Sequence, residues 1–565
     1  MMIGIDLGTT NSMIAYWDGE CANIIPNALG EPHTPSVVSI DEDGSVLVGS
    51  AARERLITHP QKTAAGFKRY MGTKKVFNLG EHCFTPTDLS HFVLKSLKQD
   101  AENFLGVPIT EAVISIPAYF HDNQRQATKQ AAQLAGLNVE RLITEPTAAA
   151  LAYGLHGDNA PASFMVLDLG GGTFDVSVLE WFDGVMEVRA VAGDNRLGGD
   201  DFDTALTSLF CHRLGLGLEE ISSKLSGVLC RQAERARIML SDNDTADISF
   251  RYEEKAYKLS VSRKDTAPIF EPLYRRLHQP IERVMQDLRL SAGQLDAVVL
   301  VGGATRMPSI RSMVAKLFNR FPYSNLDPDK TVALGAAIQA ALVAQDDTLK
   351  EVVMTDVCPF TLGVDTCNTN KDGKVVETGI FSPIIERNST VPLSKLQRYY
   401  ALYPGQAAMR FRIYQGEQRK VENNVMIGEI EIPLPTEGDA AQCADIRFTY
   451  DINGLLEVEV IVPSTGLIKK LVIEQAPGAM TPEEIERRFS ELSELKIHPR
   501  DKTENRLLLA RGERLYEASI RERRLAIEGA LARLAAVFES QNEHIIRQTV
   551  SEIKDFFDQL EHDAR

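Results

Sequence analysis

The chain has 565 residues, of which 44% are hydrophobic and 25% are charged; this is an ordinary globular composition, but the chain is too long for one hydrophobic core. The formal net charge of −17 argues against a dedicated nucleic-acid-binding protein, because a surface that follows phosphates needs an excess of lysine and arginine. The 7 cysteines are scattered and form no Cys-x-x-Cys pair, which argues against a disulfide framework and a zinc site.

The first residues lead directly into an apolar strand pattern at 3–6, without the basic segment, apolar run and cleavage site of a signal peptide. No stretch of the sequence reaches the roughly 18 to 20 uninterrupted apolar residues that a membrane span requires. We therefore expect a cytoplasmic protein that binds neither membrane nor nucleic acid and that contains at least two domains.

The most informative feature is a motif that occurs twice. Residues 3–17 read Ile-Gly-Ile-Asp-Leu-Gly-Thr-Thr-Asn-Ser-Met-Ile-Ala-Tyr-Trp, and residues 165–179 read Met-Val-Leu-Asp-Leu-Gly-Gly-Gly-Thr-Phe-Asp-Val-Ser-Val-Leu. Both combine a short apolar strand, a glycine-rich bend and a second β-rich strand, so each predicts a β-hairpin. A single bend of this kind could be an ordinary hairpin turn, but two copies with the same pattern favour phosphate-binding loops.

The composition of the two bends fits a phosphorylated ligand. Glycine adopts backbone angles closed to other residues and exposes N–H groups to an anion, while threonine adds hydroxyl donors. Asp6 and Asp168 precede the loops and would repel phosphate unless a hydrated Mg²⁺ lies between them. The candidate loop residues are Gly8, Thr9, Thr10, Asn11, Gly170, Gly171, Gly172 and Thr173.

Later segments complete a nucleotide site. Residues 297–308 predict a buried strand that ends in Gly302 and Gly303, where a flat base or ribose can approach the backbone, with Arg306 available to stack. Segments rich in small residues predict closely packed helices at 145–154 and 326–341. Such packing suits either a hinge between two lobes or an ordinary tight core.

Together these residues resemble the actin, sugar-kinase and heat-shock ATPase superfamily, and within it the DnaK-type 70-kDa heat-shock chaperone family. The resemblance covers roughly the first 500 residues and is strongest to the short HscC-type members. It rests on Ile-Asp-Leu-Gly-Thr-Thr-Asn-Ser at 5–12, Pro-Ala-Tyr-Phe at 117–120, Glu-Pro-Thr-Ala-Ala-Ala-Leu-Ala-Tyr-Gly at 145–154, Asp-Leu-Gly-Gly-Gly-Thr-Phe-Asp at 168–175 and Leu-Gly-Gly-Asp-Asp-Phe-Asp at 197–203.

The resemblance implies a multidomain fold. Residues 1–350 would be an α/β actin-like ATPase with duplicated ribonuclease H-like halves, followed by an interdomain linker at 351–357. Residues 358–475 would be a β-sandwich that binds peptides, and residues 476–565 a shortened α-helical lid.

The resemblance also assigns roles in ATP hydrolysis. Lys68 matches a lysine that contacts the γ-phosphate and the attacking water, which Glu145 and Asp168 would orient or deprotonate. Asp6 and Asp168 would hold Mg²⁺ through water, with K⁺ as a further candidate ion, and Thr173 would contact the γ-phosphate. A structural ion pair or packing role is the alternative for each residue. The implied adenosine contacts are Glu234, Arg237 (where a lysine is usual), Ser241, Gly302, Gly303, Arg306 and Asp329.

Coupling between the domains is implied at a proline–arginine relay that reports the nucleotide state and at the linker. Met354 and Thr355 replace two leucines of the family's linker, and a shorter apolar run predicts weaker docking and weaker coupling. The implied coupling residues are Pro117, Arg125, Val353, Met354 and Asp356.

Residues 358–475 predict an all-β domain from the alternating patterns at 409–414, 445–450 and 456–460, with Asn453 and Gly454 in a turn that joins the last two. A β-sandwich can bind an extended chain through main-chain hydrogen bonds, with side-chain pockets for specificity. The extra stretch at 368–377 interrupts the local alignment, and ordinary sandwich core is the alternative for each pocket residue. The resemblance places the pocket at Val364, Cys367, Tyr399, Leu402, Met409 and Phe411.

The chain becomes helical from Thr481, where Thr-Pro-Glu-Glu has the residues of a capping box, and the pattern continues to Arg565. A solvated helical bundle is the alternative to a lid. The implied partners are extended polypeptide clients and a J-domain cochaperone, with Arg141 at the J-domain contact. An exchange factor is left open because the 204–260 region is compact, and we expect a monomer.

These features predict an ATP-dependent chaperone whose ATPase controls peptide binding and release. A small-molecule kinase and a filament-forming actin relative share the ATPase fold and are the alternatives. The β domain and the linker argue against both, because neither is needed to phosphorylate a sugar or to build a filament. The 11 histidines show neither metal-ligand clustering nor a Ser/His/Asp or Cys/His grouping, so a metalloenzyme or a triad hydrolase is not supported.

Overall fold

The computed structural model divides into two compact units, Met1–Thr355 and Asp356–Arg565. No helix among the described residues is both long enough and apolar enough to cross a bilayer. The helix start predicted at Thr481 and the turn residue Asn453 lie outside the described residues. The residues that the structure describes are 2–120, 122–154, 162–182, 185–217, 221–252, 255–323, 326–345, 353–369, 375–436, 442–451, 454–473, 499–517, 519–541 and 543–562.

The first half of the N-terminal unit surrounds one mixed sheet. In chain order its elements are β1 (Met2–Asp6), β2 (Asn11–Trp17), β3 (Ala22–Ile25), β4 (Thr34–Pro35), β5 (Val37–Ile40), β6 (Val46–Val48), α1 (Ser50–Thr58), β7 (Thr63–Ala65), β8 (Phe77–Leu79), β9 (His82–Phe84), α2 (Pro86–Leu105), β10 (Glu111–Ile116), α3 (Asp122–Leu134), β11 (Asn138–Thr144) and α4 (Glu145–Ala152). The sheet order is β11-β10-β1-β2-β3, with β4 paired to β2. Side chains from the strands, α2 and α3 share one core, to which Ile3, Leu94, Ile114 and Ala131 belong.

The second half surrounds a second sheet. Its elements are β12 (Ala162–Leu169), β13 (Phe174–Phe182), β14 (Val185–Asp194), α5 (Gly199–Leu214), α6 (Ser223–Asp242), β15 (Thr245–Tyr252), β16 (Lys255–Ser262), α7 (Arg263–Asp287), β17 (Ala297–Val301), α8 (Pro308–Phe318), α9 (Thr331–Val343) and β18 (Val353–Val357). Strands β17, β12, β13 and β14 are neighbours in that order, and residues 353–355 of β18 run parallel to β14.

The two sheets repeat one topology. Each contains a three-strand meander, β1-β2-β3 or β12-β13-β14, whose first strand pairs in parallel with a later strand, β10 or β17. The predicted hairpins are confirmed, because β1 pairs antiparallel with β2 and β12 pairs antiparallel with β13. The motif that occurs twice in the sequence therefore marks the first turn of each meander.

Helices α4 and α9 pack closely because their contact residues are small. A Cβ atom at Gly335 of α9 would lie 1.7 Å from the carbonyl oxygen of Ala148 in α4. A Cβ atom at Gly4 of β1 would lie 2.1 Å from the backbone nitrogen of Ala337 in α9. Helix α9 therefore lies in backbone contact with both the first sheet and α4, as the small-residue pattern predicts.

The second unit contains two four-stranded sheets, in the orders β20-β19-β23-β24 and β22-β25-β26-β27. One hydrophobic core takes side chains from both sheets, including Val364, Ile413, Phe448 and Val460. The short strand β21 pairs with Asp356 and Val357. The elements are β19 (Leu362–Thr369), β20 (Val375–Ile385), β21 (Thr390–Val391), β22 (Leu393–Tyr400), β23 (Ala408–Gln415), β24 (Val425–Pro433), β25 (Cys443–Tyr450), β26 (Leu456–Val462) and β27 (Leu467–Ile473).

Three further helices follow in the described part of the second unit: α10 (Thr503–Glu517), α11 (Arg521–Ser540) and α12 (Glu543–His562). They share a core of their own that includes Leu515, Ile527, Phe538 and Phe557. Because this core is separate from that of the sheets, the helices can hold together as a bundle.

We predict that Gly335→Ala destabilises the N-terminal unit by about 1–3 kcal/mol or more, because the added methyl group would overlap the Ala148 carbonyl. Both tryptophans, Trp17 and Trp181, lie in this unit, so tryptophan fluorescence during denaturation of the full chain reports its unfolding. Gly293→Ala is the matched control, because no heavy atom lies within 4 Å of its Cβ position. Equal stability of the two variants would contradict the role of close packing.

Candidate active site

A cleft of about 530 Å³ lies in the N-terminal unit where its two halves meet, a volume typical of small-molecule sites. Both glycine-rich loops line it, together with the start of α4, part of α6 and the turn after β17. The sequence-predicted residues that line it are Asp6, Gly8, Thr9, Thr10, Asn11, Lys68, Glu145, Asp168, Gly170, Gly171, Thr173, Glu234, Arg237, Gly302, Gly303, Arg306 and Asp329.

Two other predicted residues are not part of this lining. A Cβ atom at Gly172 would lie 2.4 Å from the Thr9 methyl group and 2.6 Å from Nε of Arg69, so this glycine packs against the first loop. Ser241 lies one turn beyond Arg237 on α6, and its hydroxyl donates a hydrogen bond of 3.3 Å to the Arg237 carbonyl.

The loop glycines are required for space rather than for their backbone angles. None of Gly8, Gly170, Gly171 and Gly172 has a φ in the left-handed region, which differs from the sequence-based expectation. A Cβ atom at Gly8 would instead lie 2.0 Å from the Asn11 carbonyl oxygen, and one at Gly171 would lie 1.8 Å from the Thr10 hydroxyl. Among the predicted site glycines, Gly302, at the end of β17, combines a positive φ of 83° with a close approach, at 2.4 Å from the Leu169 carbonyl oxygen.

Lys68 and Glu145 form a buried ion pair in the cleft. Nζ of Lys68 lies 2.8 Å from Oε1 of Glu145, and their side chains are only 4% and 9% exposed. The single 3-10 turn Phe67–Tyr70 carries the lysine, while the glutamate is the first residue of α4. The pair therefore holds an ammonium group in the cleft in a position that is shielded from solvent.

Buried carboxylates surround this pair. Burial raises the pKa of Asp6 to about 6 and that of Asp175 to about 8, with the Glu145 carboxylate as the next cause in both cases. Burial likewise raises the pKa of Asp168 well above its usual value, and Glu145 again adds to the effect. The Ser115 hydroxyl donates a hydrogen bond of 2.8 Å to Asp6. The cluster thus has a strong tendency to bind protons or cations.

The donor groups of the cleft fit Mg²⁺ held through water. Among the described residues, no group of three or more His, Cys, Asp and Glu side chains is arranged to hold a metal directly. Buried oxygen atoms at the site nevertheless lack partners: Oγ1 of Thr10, Oδ1 of Asn11 and Oδ2 of Asp175. Carboxylates that contact the cation through its water shell, with phosphate oxygens as direct ligands, match this arrangement.

On the far side of the cleft, ion pairs hold the predicted adenosine contacts. Arg306 lies 2.5 Å from Asp327 and 2.8 Å from Asp329. Arg237 makes two bonds to Asp203, at 2.7 and 3.0 Å. These ion pairs fix the orientation of both guanidinium groups at the wall of the cleft.

Two aspartates at or beside the cleft were not predicted as site residues, although both lie within motifs that carry the family resemblance. Oδ1 of Asp175, the last residue of the second glycine motif, accepts the Tyr119 N–H at 2.9 Å. Asp200 lies in the cleft lining, and burial raises its pKa to about 6. The repeated Asp in the 197–203 motif was the available signal.

The proposed relay residues are joined through Phe120. The Phe120 N–H donates a hydrogen bond to the Pro117 carbonyl at 3.2 Å, and its own carbonyl accepts one from Nε of Arg125 at 3.3 Å. The Phe120 ring centroid lies 5.7 Å from Nζ of Lys68. Pro117 and Arg125 therefore contact the residue that packs against the lysine of the cleft.

The predicted peptide residues of the second unit differ in exposure. Val364, Met409 and Phe411 lie in the core between the sheets. The Tyr399 ring packs edge-on against Phe411, with ring centroids 5.7 Å apart. Its hydroxyl lies 2.9 Å from that of Ser382, and burial raises its pKa to about 12.

The remaining two predicted peptide residues are accessible. Cys367 is half-buried and Leu402 is 45% exposed. Tyr400 and Tyr403, which flank Leu402, are also exposed. The described surface beside β22 thus presents three large apolar side chains.

Two ion pairs connect α1 of the first half to α6 of the second beside the cleft. Arg53 lies 2.7 Å from Glu234, which lines the cleft. Arg231 makes two bonds to Glu54, at 2.7 and 2.8 Å. A ligand can leave more easily when the two halves move apart, so these pairs oppose its release.

Comparison with known proteins identifies relatives along the whole chain. A family profile described as Hsp70 protein matches residues 2–78 and 74–564. The chaperone protein DnaK of Thermotoga neapolitana is 36% identical over 583 aligned positions, which cover 100% of this chain and 96% of the relative. The proteins of the same name from Thermosipho africanus and Thermosipho melanesiensis are 39% and 40% identical over 486 positions, which cover 84% of this chain and 79% and 80% of the relatives.

We predict that Glu54→Arg accelerates nucleotide release about 2- to 5-fold, because it replaces an attractive pair with Arg231 by a repulsive one. The exchanged pair E54R/R231E should return the rate toward that of the original chain. Stopped-flow dissociation of a fluorescent nucleotide measures both rates.

The matched control is Glu42→Arg, which makes the same charge change at an exposed position of the first half. An E54R rate equal to that of the control, or an exchanged pair as fast as E54R, would show that the ion pair does not retain the nucleotide.

Proposed function

The chain belongs to the Hsp70 family, and we propose that the cleft of its N-terminal unit hydrolyses ATP to control a peptide site in its second unit. It is an ATP-dependent molecular chaperone that binds ATP and ADP, generally with Mg²⁺, and acts on unfolded client polypeptides together with cochaperones.

The observation that carries the proposed chemistry is the buried Lys68–Glu145 pair between the two glycine-rich loops. Phosphoryl transfer depends on positioning and on neutralising charge, and the protein needs to supply little covalent chemistry. In the proposed reaction Lys68 contacts the γ-phosphate and the attacking water, while Glu145 and Asp168 orient that water and take up its proton. Thr173 and the loop N–H groups hold the phosphates.

Asp6 and Asp168 are the proposed holders of Mg²⁺ through water. When bound, this ion neutralises the charge on the phosphate oxygens and so makes attack by water easier. K⁺ is a further candidate cofactor. Glu234, Arg237, Ser241, Gly302, Gly303, Arg306 and Asp329 are the proposed adenosine contacts.

The domain arrangement proposed for the chain follows the family. Residues 1–350 form an actin-like ATPase, which the repeated sheet topology supports. Residues 358–475 form a peptide-binding sandwich, supported by the shared core of its two sheets, and residues 476–565 a short helical lid. We further propose a J-domain partner that contacts Arg141, a monomeric state and a cytoplasmic location, while the need for an exchange factor stays open.

In the proposed peptide site, accessible side chains contact the client directly and core residues support them from below. Leu402, Cys367 and Tyr399 are the first group, because they are exposed or half-buried. Val364, Met409 and Phe411 are the second, because they lie in the sandwich core. Main-chain hydrogen bonds to an extended chain would supply affinity that does not depend on its sequence.

The linker proposal concerns residues 351–357, with Val353, Met354 and Asp356 as coupling residues. Residues 353–355 run parallel to residues 185–187 of β14, as an added edge strand. The hydroxyl of Thr355 is buried there without a hydrogen-bond partner, which weakens docking because an unpaired buried hydroxyl costs free energy.

We predict that the double substitution M354L/T355L strengthens ATP-driven peptide release, because it removes the unpaired hydroxyl and extends the apolar run. The measurement is the ratio of peptide dissociation rates in ATP and ADP, expected to rise about 2- to 10-fold. An unchanged ratio would count against linker docking as the limiting step of coupling.

The proposed function is tested by single-turnover ATP hydrolysis with and without extended hydrophobic peptides, together with peptide release rates in ATP and ADP. Peptide should accelerate hydrolysis, and ATP should accelerate peptide release. Lys68→Ala should lower the hydrolysis rate about 100- to 1000-fold, because it removes the buried ammonium group.

Lys74→Ala, at an exposed position near the same 3-10 turn, is the matched control and should hydrolyse ATP normally. If peptide does not change the rate of ATP hydrolysis and ATP does not change the rate of peptide release, the chain is an ATPase but the proposed coupling is refuted.

A further inference from the structure

Arg69 lies beside the proposed catalytic residue Lys68 but has no role in the proposed reaction. It is next to Lys68 on the 3-10 turn Phe67–Tyr70. Lys68 bonds to Glu145 of its own half, whereas Nη2 of Arg69 lies 2.7 Å from Oδ2 of Asp201 in the second half. The same nitrogen donates a hydrogen bond of 3.1 Å to the carbonyl oxygen of Gly171 in the second glycine-rich loop.

The Gly171 carbonyl is thereby held from two directions. Besides the Arg69 bond, it accepts the N–H of Asp200 at 2.9 Å. The same peptide unit is also confined by packing, because a Cβ atom at Gly198 would lie 2.4 Å from both the Gly171 carbonyl oxygen and the Gly172 nitrogen. The Arg69 hydrogen bond comes from the first half of the unit, which also packs Thr9 and Thr10 against Gly172 and Gly171.

Arg69 connects the second glycine-rich loop to the turn that carries Lys68 through one hydrogen bond. Arg69 and Lys68 are adjacent in sequence, so the bond to Gly171 sets how far the loop stands from the Lys68 turn. The planar guanidinium suits this task, because its plane fixes the directions in which Nη2 donates to the carboxylate and to the carbonyl, whereas an ammonium group on a flexible stem lacks this rigidity. Nε of Arg69 is buried and has no hydrogen-bond partner, so hydrogen bonding alone does not account for the burial of this side chain.

We propose that Arg69 is a positioning residue for ATP hydrolysis: through its bond to the Gly171 carbonyl it holds the second phosphate loop at the working distance from Lys68. The inference rests on the proposed ATPase function of the cleft. Since Arg69 acts on the loop and does not line the cleft, it governs the alignment of the reacting groups more than the binding of nucleotide.

The test compares Arg69→Met, Arg69→Lys and Asp201→Asn in the full-length chain. We expect R69M to lower the single-turnover rate of ATP hydrolysis about 10- to 100-fold, because small displacements of reacting groups carry losses of that order. The dissociation constant for ADP should stay within about 3-fold, because the cleft lining is intact. R69K should recover part of the rate, since it keeps the charge but not the planar group that directs the two bonds.

Asp201→Asn separates the loop bond from the ion pair. It keeps one oxygen to accept the Gly198 N–H and leaves Arg69 free to bond Gly171, so hydrolysis should stay within about 3-fold of the original chain. Equal losses in D201N and R69M would assign the effect to the ion pair and overturn the proposal.

An R69M variant with the original hydrolysis rate would overturn the proposal too, as would one that no longer binds ADP, since Arg69 would then be needed to build the cleft. A failure of the ATPase function itself is distinguishable, because the unsubstituted chain would then show no hydrolysis in the same assay.

Discussion

The structure depends above all on the charge balance in and beside the cleft, where the buried carboxylates of Glu145, Asp168 and Asp175 and the half-buried carboxylate of Asp6 lie close to the ammonium group of Lys68. Burial disfavours their charged forms, which is why the pKa values of all three aspartates are raised. A cation bound there, such as the proposed Mg²⁺, would favour the charged forms and oppose that shift, so its binding and the release of protons would be thermodynamically linked. The loops, the ion pairs and the closely packed helices all serve to keep this cluster assembled.

Close backbone approach is what allows both halves to contribute to so small a volume. The loop glycines leave room for Thr9, Thr10 and the Asn11 carbonyl, and Gly335 lets α9 reach the backbone of α4. A side chain at Gly171, Gly172 or Gly335 would push one half away from the other, and one at Gly8 would distort the first loop. The small residues therefore act on the geometry of the cleft even where they do not contact a ligand.

Local patterns in the sequence predicted the features that depend on neighbouring residues, and missed those that depend on distant ones. The two hairpins and the strands at 408–415, 443–450 and 456–462 follow from alternation and turn residues, which act over a few positions. The bond from Arg69 to Gly171 spans 102 positions and the pair Arg53–Glu234 spans 181, and no local pattern indicates such partners. The family resemblance placed the buried Val364 and the exposed Leu402 in the same pocket, because an aligned position does not report how far a side chain is buried. The glycine-rich turns lie where the sequence predicts them. The expected reason was backbone angles closed to other residues, whereas in the structure a Cβ atom at Gly8, Gly171 or Gly172 would overlap neighbouring atoms.

The repeated sheet topology has a consequence for the kind of ligand that the cleft selects. Each half supplies one glycine-rich loop and one carboxylate at the end of its first strand, so neither half alone encloses a ligand. A single phosphate group can satisfy one loop, whereas a chain of phosphates can touch both at once and hold the halves together. A site made of two similar parts therefore favours a phosphate chain long enough to reach both loops, in addition to any contact with the base.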